Sequence, residues 1–293
     1  MLSRSPVLAH AGPWDLDLLL LAGVAGVAVL YARGRRSGHG WRAAAFAGAL
    51  AALVVALVGP VDTLSAELAS AHMVQHVLLV LVAAPLLALS APTAALVRGG
   101  PSGLRAAVRW GHRLGPLRDR LRPARHPIAL WLAHVATLWF WHASVPYGSA
   151  LENELVHIAE HLSFLVTGIL FWSVVIGGPR VRRVPEGFAL LLVFAMALQS
   201  VFLSVLLTFA RRPWYDAYLS TTAAHGLDPL TDQHLAGAIM WVPAGLVYLA
   251  AGLGLTAAWL RTAEREAARM DVDVGDGPRD PAGGTRPDFT LPG

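Results

Sequence analysis

The chain has 293 residues, of which 55% are hydrophobic and 14% are charged, and its mean hydropathy is +0.53. A soluble domain needs more polar surface than this, so the composition excludes one and indicates a protein of the lipid bilayer. Cysteine is absent, which excludes disulfides, thiolate metal sites and thiol nucleophiles.

Seven apolar segments are each long enough to cross roughly 30 Å of hydrocarbon at about 1.5 Å per residue. We therefore predict an all-α, polytopic membrane bundle of about seven transmembrane helices. The predicted spans are residues 14–31, 43–61, 73–97, 128–145, 155–176, 188–210 and 235–260. Pro85 and Pro92 predict a kink in the third helix, with the freed backbone groups bonded by a neighbouring helix, and Pro243 predicts another kink in the seventh.

The arginines divide unequally between the two sides of these spans. Three of them, Arg4, Arg211 and Arg212, lie on one side and the other twenty on the opposite side, and lysine is absent. Because basic residues near helix ends stay in the cytoplasm, we predict an outer N-terminus and a cytoplasmic C-terminus. The arginines thus act as orientation signals, so the net charge of +4 does not indicate a nucleic-acid partner.

This topology predicts three regions. Residues 1–13 form an outer N-terminal segment, and residues 14–261 form the membrane domain. Residues 262–293 form a cytoplasmic tail, which begins as a charged helical extension and then becomes rich in Gly, Pro and Asp. Such a composition buries little apolar surface, so we expect the tail to be largely disordered from about Asp271.

Seven of the 12 histidines fall at or beside the outer ends of the predicted helices. They are His72, His76, His142, His157, His161, His225 and His234. The pairs 72/76 and 157/161 have a spacing of four residues, which places both imidazoles of a pair on one helix face. Two such pairs at the same depth predict a pocket of up to four ring nitrogens, a set that suits copper, zinc, iron or nickel. His142 and His234 are further candidate ligands.

Polar side chains accompany these histidines. Glu160 lies between His157 and His161, and Asp232 lies two residues before His234. Either carboxylate is placed to bond the second ring nitrogen of a ligand histidine and so fix its orientation. Gln233 is a further polar candidate for the same surroundings.

Met73 and Met240 lie close in sequence to the histidines. A thioether beside imidazoles favours Cu(I), but packing in the core is the expected role of both methionines. His134, alone within the fourth helix, is expected to bond a neighbouring helix rather than a metal. Five aromatic residues are expected to form an outer interfacial belt: Trp139, Trp141, Tyr147, Trp214 and Tyr215.

The segment from His157 to His161 also fits the H-x-x-E-H pattern of inverted zinc peptidases. On that alternative the protein is a zinc-dependent membrane hydrolase in which Glu160 is the general base. A second alternative is a haem-binding electron carrier with axial histidines from two helices.

Four motifs together carry a family resemblance. They are His72-Met73-Val74-Gln75-His76 with Ala-Pro at 84–85 and 91–92, Trp141-His142 with Pro146-Tyr147, His157 to His161 with Phe164 and Phe171-Trp172, and Asp232-Gln233 with Ile239-Met240-Trp241. On these motifs, residues 15–260 resemble the CtaG family of bacterial cytochrome c oxidase assembly factors. The resemblance is not to the single-span copper chaperone of similar name, which uses cysteines.

The resemblance implies a multi-pass protein of the bacterial plasma membrane that supports assembly of a haem-copper oxidase by copper delivery, and not an enzyme. It implies copper as the metal, with zinc as the alternative, and as partners the oxidase subunits or another copper chaperone. The implied metal residues are His72, His76, His157 and His161, followed by His142 and His234.

Overall fold

In a computed structural model of the chain, the described residues are 18–36, 38, 40–113, 126–176 and 184–275. These residues form helices and turns and include no strand. The predicted outer segment 1–13 and the tail beyond residue 275 lie outside the described residues.

The helices follow one another in this order: α1 Leu18–Gly34, α2 Gly40–Leu57, α3 Pro60–Ser65, α4 Ala69–Ser90, α5 Thr93–Gly99, α6 Ser102–Arg113, α7 Pro127–His142, α8 Ser144–Glu152, α9 Glu154–Ile176, α10 Glu186–Thr208 and α11 Pro229–Gly275. Two short 3₁₀ turns, Asp216–Ser220 and Thr222–His225, lie between α10 and α11.

Five of these helices (α2, α4, α9, α10 and α11) are long and apolar enough to cross a membrane. The pair α7 and α8 qualifies as a sixth, although the chain bends by 72° between them, and α1 is a shorter apolar helix. The apolar side chains on their outer faces, such as Phe194 and Leu246, stay exposed, as lipid contact requires. The predicted all-α membrane fold is confirmed, while the number seven and the orientation stay predictions.

The third predicted span differs from the structure at its end. The prediction placed this end at residue 97, whereas α4 ends at Ser90. Ala91 has a left-handed φ of 46°, and Pro92 is the N-cap residue of the next helix. A proline ring disfavours helical geometry in the residue before it, so the helix cannot continue smoothly through Ala91.

Inside α4, the segment Leu78–Ala83 is a π-helix, which ends just before Pro85. In π geometry an N–H bonds the carbonyl five residues earlier, and Pro85, which has no N–H, would be the partner of Val80. The indole Nε1 of Trp172 on α9 instead donates to the Val80 carbonyl at 2.9 Å. For Pro85, the prediction that a neighbouring helix bonds the freed backbone group is confirmed.

The centre of the bundle is α4, which packs against α2, α9 and α11. Its inner residues join one buried core with α7, α8, α9, α10 and α11. α11 runs as one helix through Pro243 to Gly275, past the predicted start of tail disorder at Asp271. The N-terminal halves of α4 and α9 and the C-terminal end of α7 therefore meet at one end of the bundle.

Candidate metal centre

Five histidines from three helices meet at this end of the bundle. Their imidazole rings lie close together, with centroid distances of 4.5 Å for His72 to His76, 5.3 Å for His72 to His157 and 4.2 Å for His157 to His161. The fifth ring, that of His142, lies 5.7 Å from His76. The structure thus brings together both predicted pairs and His142.

The carboxylate of Glu160 lies between the two histidines of α4. Its Oε2 is 3.4 Å from Nε2 of His72 and its Oε1 is 3.4 Å from Nε2 of His76. The two Nε2 atoms are 3.0 Å apart. Glu160, His72, His76 and His161 each offer one ligand atom, and these four atoms lie within 4.8 Å of one another. One small cation could contact donors from both helices.

Several polar atoms around this point are buried without a hydrogen-bond partner among the described residues. They are both carboxylate oxygens of Glu160 and the Nε2 atoms of His142, His157 and His161. Buried polar groups are nearly always bonded, because a lost hydrogen bond to water is otherwise not replaced. A cation between α4 and α9 accepts the lone pairs of Glu160 and His161, so the donor set of imidazoles and one carboxylate fits copper or zinc.

A layer of three tyrosines closes one side of this cluster. Tyr147 lies 4.9 Å from the His72 ring and stacks on Tyr215 at 3.8 Å, measured between ring centroids. The hydroxyl of Tyr218 donates to the Ser65 carbonyl at 2.9 Å and lies 3.1 Å from the Tyr147 hydroxyl. Burial raises the pKa of Tyr218 well above its ordinary value, so this hydroxyl keeps its proton and its bond.

The proton of Tyr218 also fixes the role of His72. Because that proton is committed to Ser65, the contact of 3.5 Å between the Tyr218 hydroxyl and Nδ1 of His72 leaves His72 as the donor. A protonated Nδ1 makes Nε2 the unprotonated nitrogen, and that atom lies 3.0 Å from Nε2 of His76 and 3.4 Å from Glu160. This is the tautomer that a metal ligand needs.

Trp141, Tyr147 and Tyr215 were expected in an interfacial belt, and this expectation is wrong. All three side chains are buried. Trp141 donates to Ser163 on α9, while the bend of 72° after α7 brings Tyr147 over the bundle, where Tyr215 stacks on it. Tyr218, in the turn before α11, had no sequence signal that set it apart. Tyr147 had such a signal, because it belongs to the motif of Trp141-His142, but no periodicity predicted the bend.

Asp232 has a different partner from the one predicted. Its carboxylate accepts hydrogen bonds from the backbone N–H of Ala69 at 2.7 Å and of Ser70 at 3.2 Å, and from the Ser70 hydroxyl. It therefore caps the N-terminus of α4 from α11, where a negative charge also stabilises the helix dipole. Asp232 positions the helix that carries His72 and His76.

The remaining candidates lie outside the cluster. Nε2 of His234 donates to the Ala210 carbonyl at 3.0 Å, and Gln233 accepts a bond from the Trp214 N–H at 2.6 Å. Among the described residues, neither His234 nor Gln233 contacts the histidines of the cluster. Met73 is fully buried in the core, as expected, and Met240 packs there as well.

His134 bonds the neighbouring helix, as predicted. Its Nδ1 lies 2.9 Å from the hydroxyl of Thr167 on α9, and its ring stacks on Phe171. The side chain is 1% exposed.

Comparison with known proteins identifies the family. Residues 24–262 match the family model described as cytochrome c oxidase caa3 assembly factor. The chain belongs to this family. The match includes every histidine of the cluster, and it confirms the resemblance drawn from the four motifs.

The chain is also similar to uncharacterized mycobacterial proteins. It is 28% identical over 288 residues to one from Mycobacterium bovis and to one from Mycobacterium tuberculosis, covering 92% of this chain and 43% of each relative. A protein from Mycobacterium leprae is 28% identical over 276 residues, covering 88% of this chain and 41% of that protein. The chain thus spans less than half the length of these curated relatives. No solved structure matches it.

Proposed function

We propose that this assembly factor binds copper at the histidine cluster and supports its delivery to a haem-copper cytochrome c oxidase. The observation that carries the proposal is the convergence of His72, His76 and His161 on the buried carboxylate of Glu160. The ring of His157 lies beside that of His72, at 5.3 Å between centroids. The family supports the link to an oxidase, and the ligand types support copper. The role is that of a metallochaperone rather than an enzyme.

The topology proposed with this function has seven spans. They are α1, α2, α4, the bent pair α7 and α8, α9, α10 and α11, with α1 as the shortest. The arginine distribution supports an outer N-terminus, a cytoplasmic C-terminus and a location in the bacterial plasma membrane. On this orientation the cluster faces away from the cytoplasm.

The charge of the cluster suits a monovalent cargo. An isolated carboxylate within a membrane bundle is costly to bury, and a cation beside it offsets part of that cost. One Glu160 carboxylate and one Cu(I) ion form a neutral pair, while neutral imidazoles complete the coordination. Zn(II) in the same place leaves a net positive charge that no other described side chain in the cluster neutralises.

Burial within the cluster is graded, and this suits release. His72 is fully buried and His76 nearly so, whereas His157 and His161 are partly exposed as residues although their Nε2 atoms are buried. A partner that supplies its own ligands would therefore displace the α9 histidines first. The partners we propose are the oxidase subunits or another copper chaperone.

The test is copper retention by protein purified without chelators or affinity-column metal. Replacing both His72 and His76 with alanine should remove most of the bound copper that elemental analysis detects. His225→Ala is the matched control, because His225 lies on the same side of the bundle but bonds Glu67 on the surface. Wild-type copper content in the double variant would refute the proposed site.

A zinc hydrolase is the second candidate, because Glu160 lies within 3.4 Å of two imidazoles, as a general base beside a metal-bound water does. Glu160→Gln separates the two functions. If copper is the cargo, the variant loses metal, since the carboxylate is a ligand and the compensating charge. A hydrolase keeps its zinc in this variant and loses only activity.

The haem alternative fits the geometry poorly. The cavity that the described residues enclose beside the cluster has a volume of about 40 Å³, whereas pockets that hold ligands of drug or cofactor size are roughly 300 Å³ or larger. A visible absorption spectrum without a Soret band would complete the exclusion.

A further inference from the structure

A second group of ligand atoms lies deeper in the bundle, below the cluster. They line the cavity between α4, α7, α9, α10 and α11, whose walls include His76, His142, Met240, His134 and Met196. A volume of about 40 Å³ is enough for a metal ion or for a few waters. The proposed copper site does not use this space.

His142 directs a free lone pair to this region. Its Nδ1 lies 2.7 Å from the Leu138 carbonyl, and a carbonyl only accepts, so Nδ1 carries the proton. Nε2 is then unprotonated, and it is buried without a partner among the described residues. A bond from Nδ1–H to a backbone carbonyl is the arrangement by which proteins orient a ligand histidine.

His76 belongs to both regions. Its Nε2 faces His72 and Glu160, while its Nδ1 is buried and has no partner among the described residues. The His76 and His142 rings are 5.7 Å apart, edge to face, and both line the cavity. One ring therefore borders the outer cluster and the cavity at the same time.

Met240 lies at the same depth as His76. Asp232 on α11 bonds the N-terminus of α4 at Ala69, and both helices run inward from that contact. Met240 follows Asp232 by eight residues and His76 follows Ala69 by seven, which corresponds to about 12 Å and about 10 Å along the helices. The thioether therefore reaches the level of the two imidazoles.

His134 and Met196 line a deeper part of the cavity. His134 precedes His142 by eight residues on α7, about 12 Å along the axis, so one ion cannot contact both rings. The hydroxyl of Thr167 donates to the Ser163 carbonyl, so Nδ1 of His134 is the donor to Thr167 and its Nε2 is a free acceptor. Met196 lines the cavity with it.

We infer that the upper part of the cavity is an inner position for Cu(I), held by Nε2 of His142 and the thioether of Met240 and bordered by Nδ1 of His76. Two imidazoles and a thioether form a soft ligand set that selects Cu(I) over harder ions. A thioether is only a weak hydrogen-bond acceptor, so its presence favours a metal over bound water. The inference rests on the proposed function only for the identity of the metal. A neutral imidazole has one lone pair, so His76 offers either Nε2 to the outer cluster or Nδ1 to this position, and its ring proton moves to the other nitrogen when the ion passes between the two.

The experiment is X-ray absorption at the copper edge on the full chain, loaded anaerobically with excess Cu(I) and then desalted. The wild type should show sulfur scattering beside nitrogen scattering. Met240→Leu should remove the sulfur scattering and lower the bound copper measured by elemental analysis. Met73→Leu is the matched control, because Met73 is buried on α4 but does not line the cavity, and it should keep both signals. Leucine conserves the volume of methionine, so both variants should fold.

Sulfur scattering that is absent from the wild type, or that persists in Met240→Leu, overturns the inner position and leaves the cavity to water. A variant with His157 and His161 both changed to alanine separates this result from the proposed function. It should lose copper from the outer cluster and keep the sulfur scattering. If that variant keeps all of its copper while Met240→Leu loses some, the outer site is refuted and the inner one stands.

Discussion

Asp232→Ala tests whether α11 holds the histidine-bearing helix in place. The change removes three hydrogen bonds that the buried carboxylate accepts from Ala69 and Ser70. Losing an N-cap costs about 1 to 2 kcal/mol, and leaving buried donors without a partner costs about 1 to 3 kcal/mol each. Removal of a buried charge offsets part of this, so we expect the free energy of unfolding to fall by about 3 kcal/mol.

Thermal unfolding in detergent, followed by tryptophan fluorescence, measures this loss. For a chain of this size about 3 kcal/mol lowers Tm by roughly 6 to 12 °C, and copper retention should fall with it because His72 and His76 lose their support. Asp228→Ala is the control, since Asp228 is exposed and caps only its own helix at Leu230 and Thr231, worth about 1 kcal/mol. Equal Tm values for the two variants would refute the reasoning.

Three further substitutions test the packing of the bundle and the closure of the site by the same melting assay. Trp172→Phe leaves the Val80 carbonyl without its donor and should lower the free energy of unfolding by about 1 to 3 kcal/mol; an unchanged Tm would contradict the role assigned to the π-helix. Gly99→Ala places a Cβ 1.9 Å from the Leu30 carbonyl oxygen of α1, so it should push α5 away from α1 and lower Tm. Gly103→Ala is the control, because its Cβ would have no atom within 4 Å, and its Tm should be unchanged. Tyr218→Phe removes the hydroxyl that closes the cluster and should also cost about 1 to 3 kcal/mol, and wild-type stability would contradict that bond.

The sequence predicts the parts of the site that depend on local periodicity. Residues four apart on a helix must share a face, which is why the pairs 72/76 and 157/161 were identified and why they meet once α4 and α9 pack together. The apolar length of each segment likewise predicted α9 and α10 to within two residues at each end.

The parts that sequence reasoning missed depend on long-range geometry. Asp232 contacts residues 162 and 163 positions away, and no local pattern shows which helix end a carboxylate will cap. Tyr147 reaches the cluster only because the chain bends by 72° after His142. The sequence has two Ala-Pro pairs in this region, at 84–85 and 91–92, and it does not show which of them ends α4. The helix passes the first pair through a π-helical segment and ends at Ser90, before the second.

The most direct test of the copper proposal is the position of copper itself. Anomalous diffraction from crystals of the Cu(I)-loaded protein, collected at the copper edge, locates the ion without reference to any variant. The account predicts a peak between the imidazoles of His72, His76 and His161, beside the carboxylate of Glu160. A copper-saturated crystal with no peak in contact with these residues would contradict it.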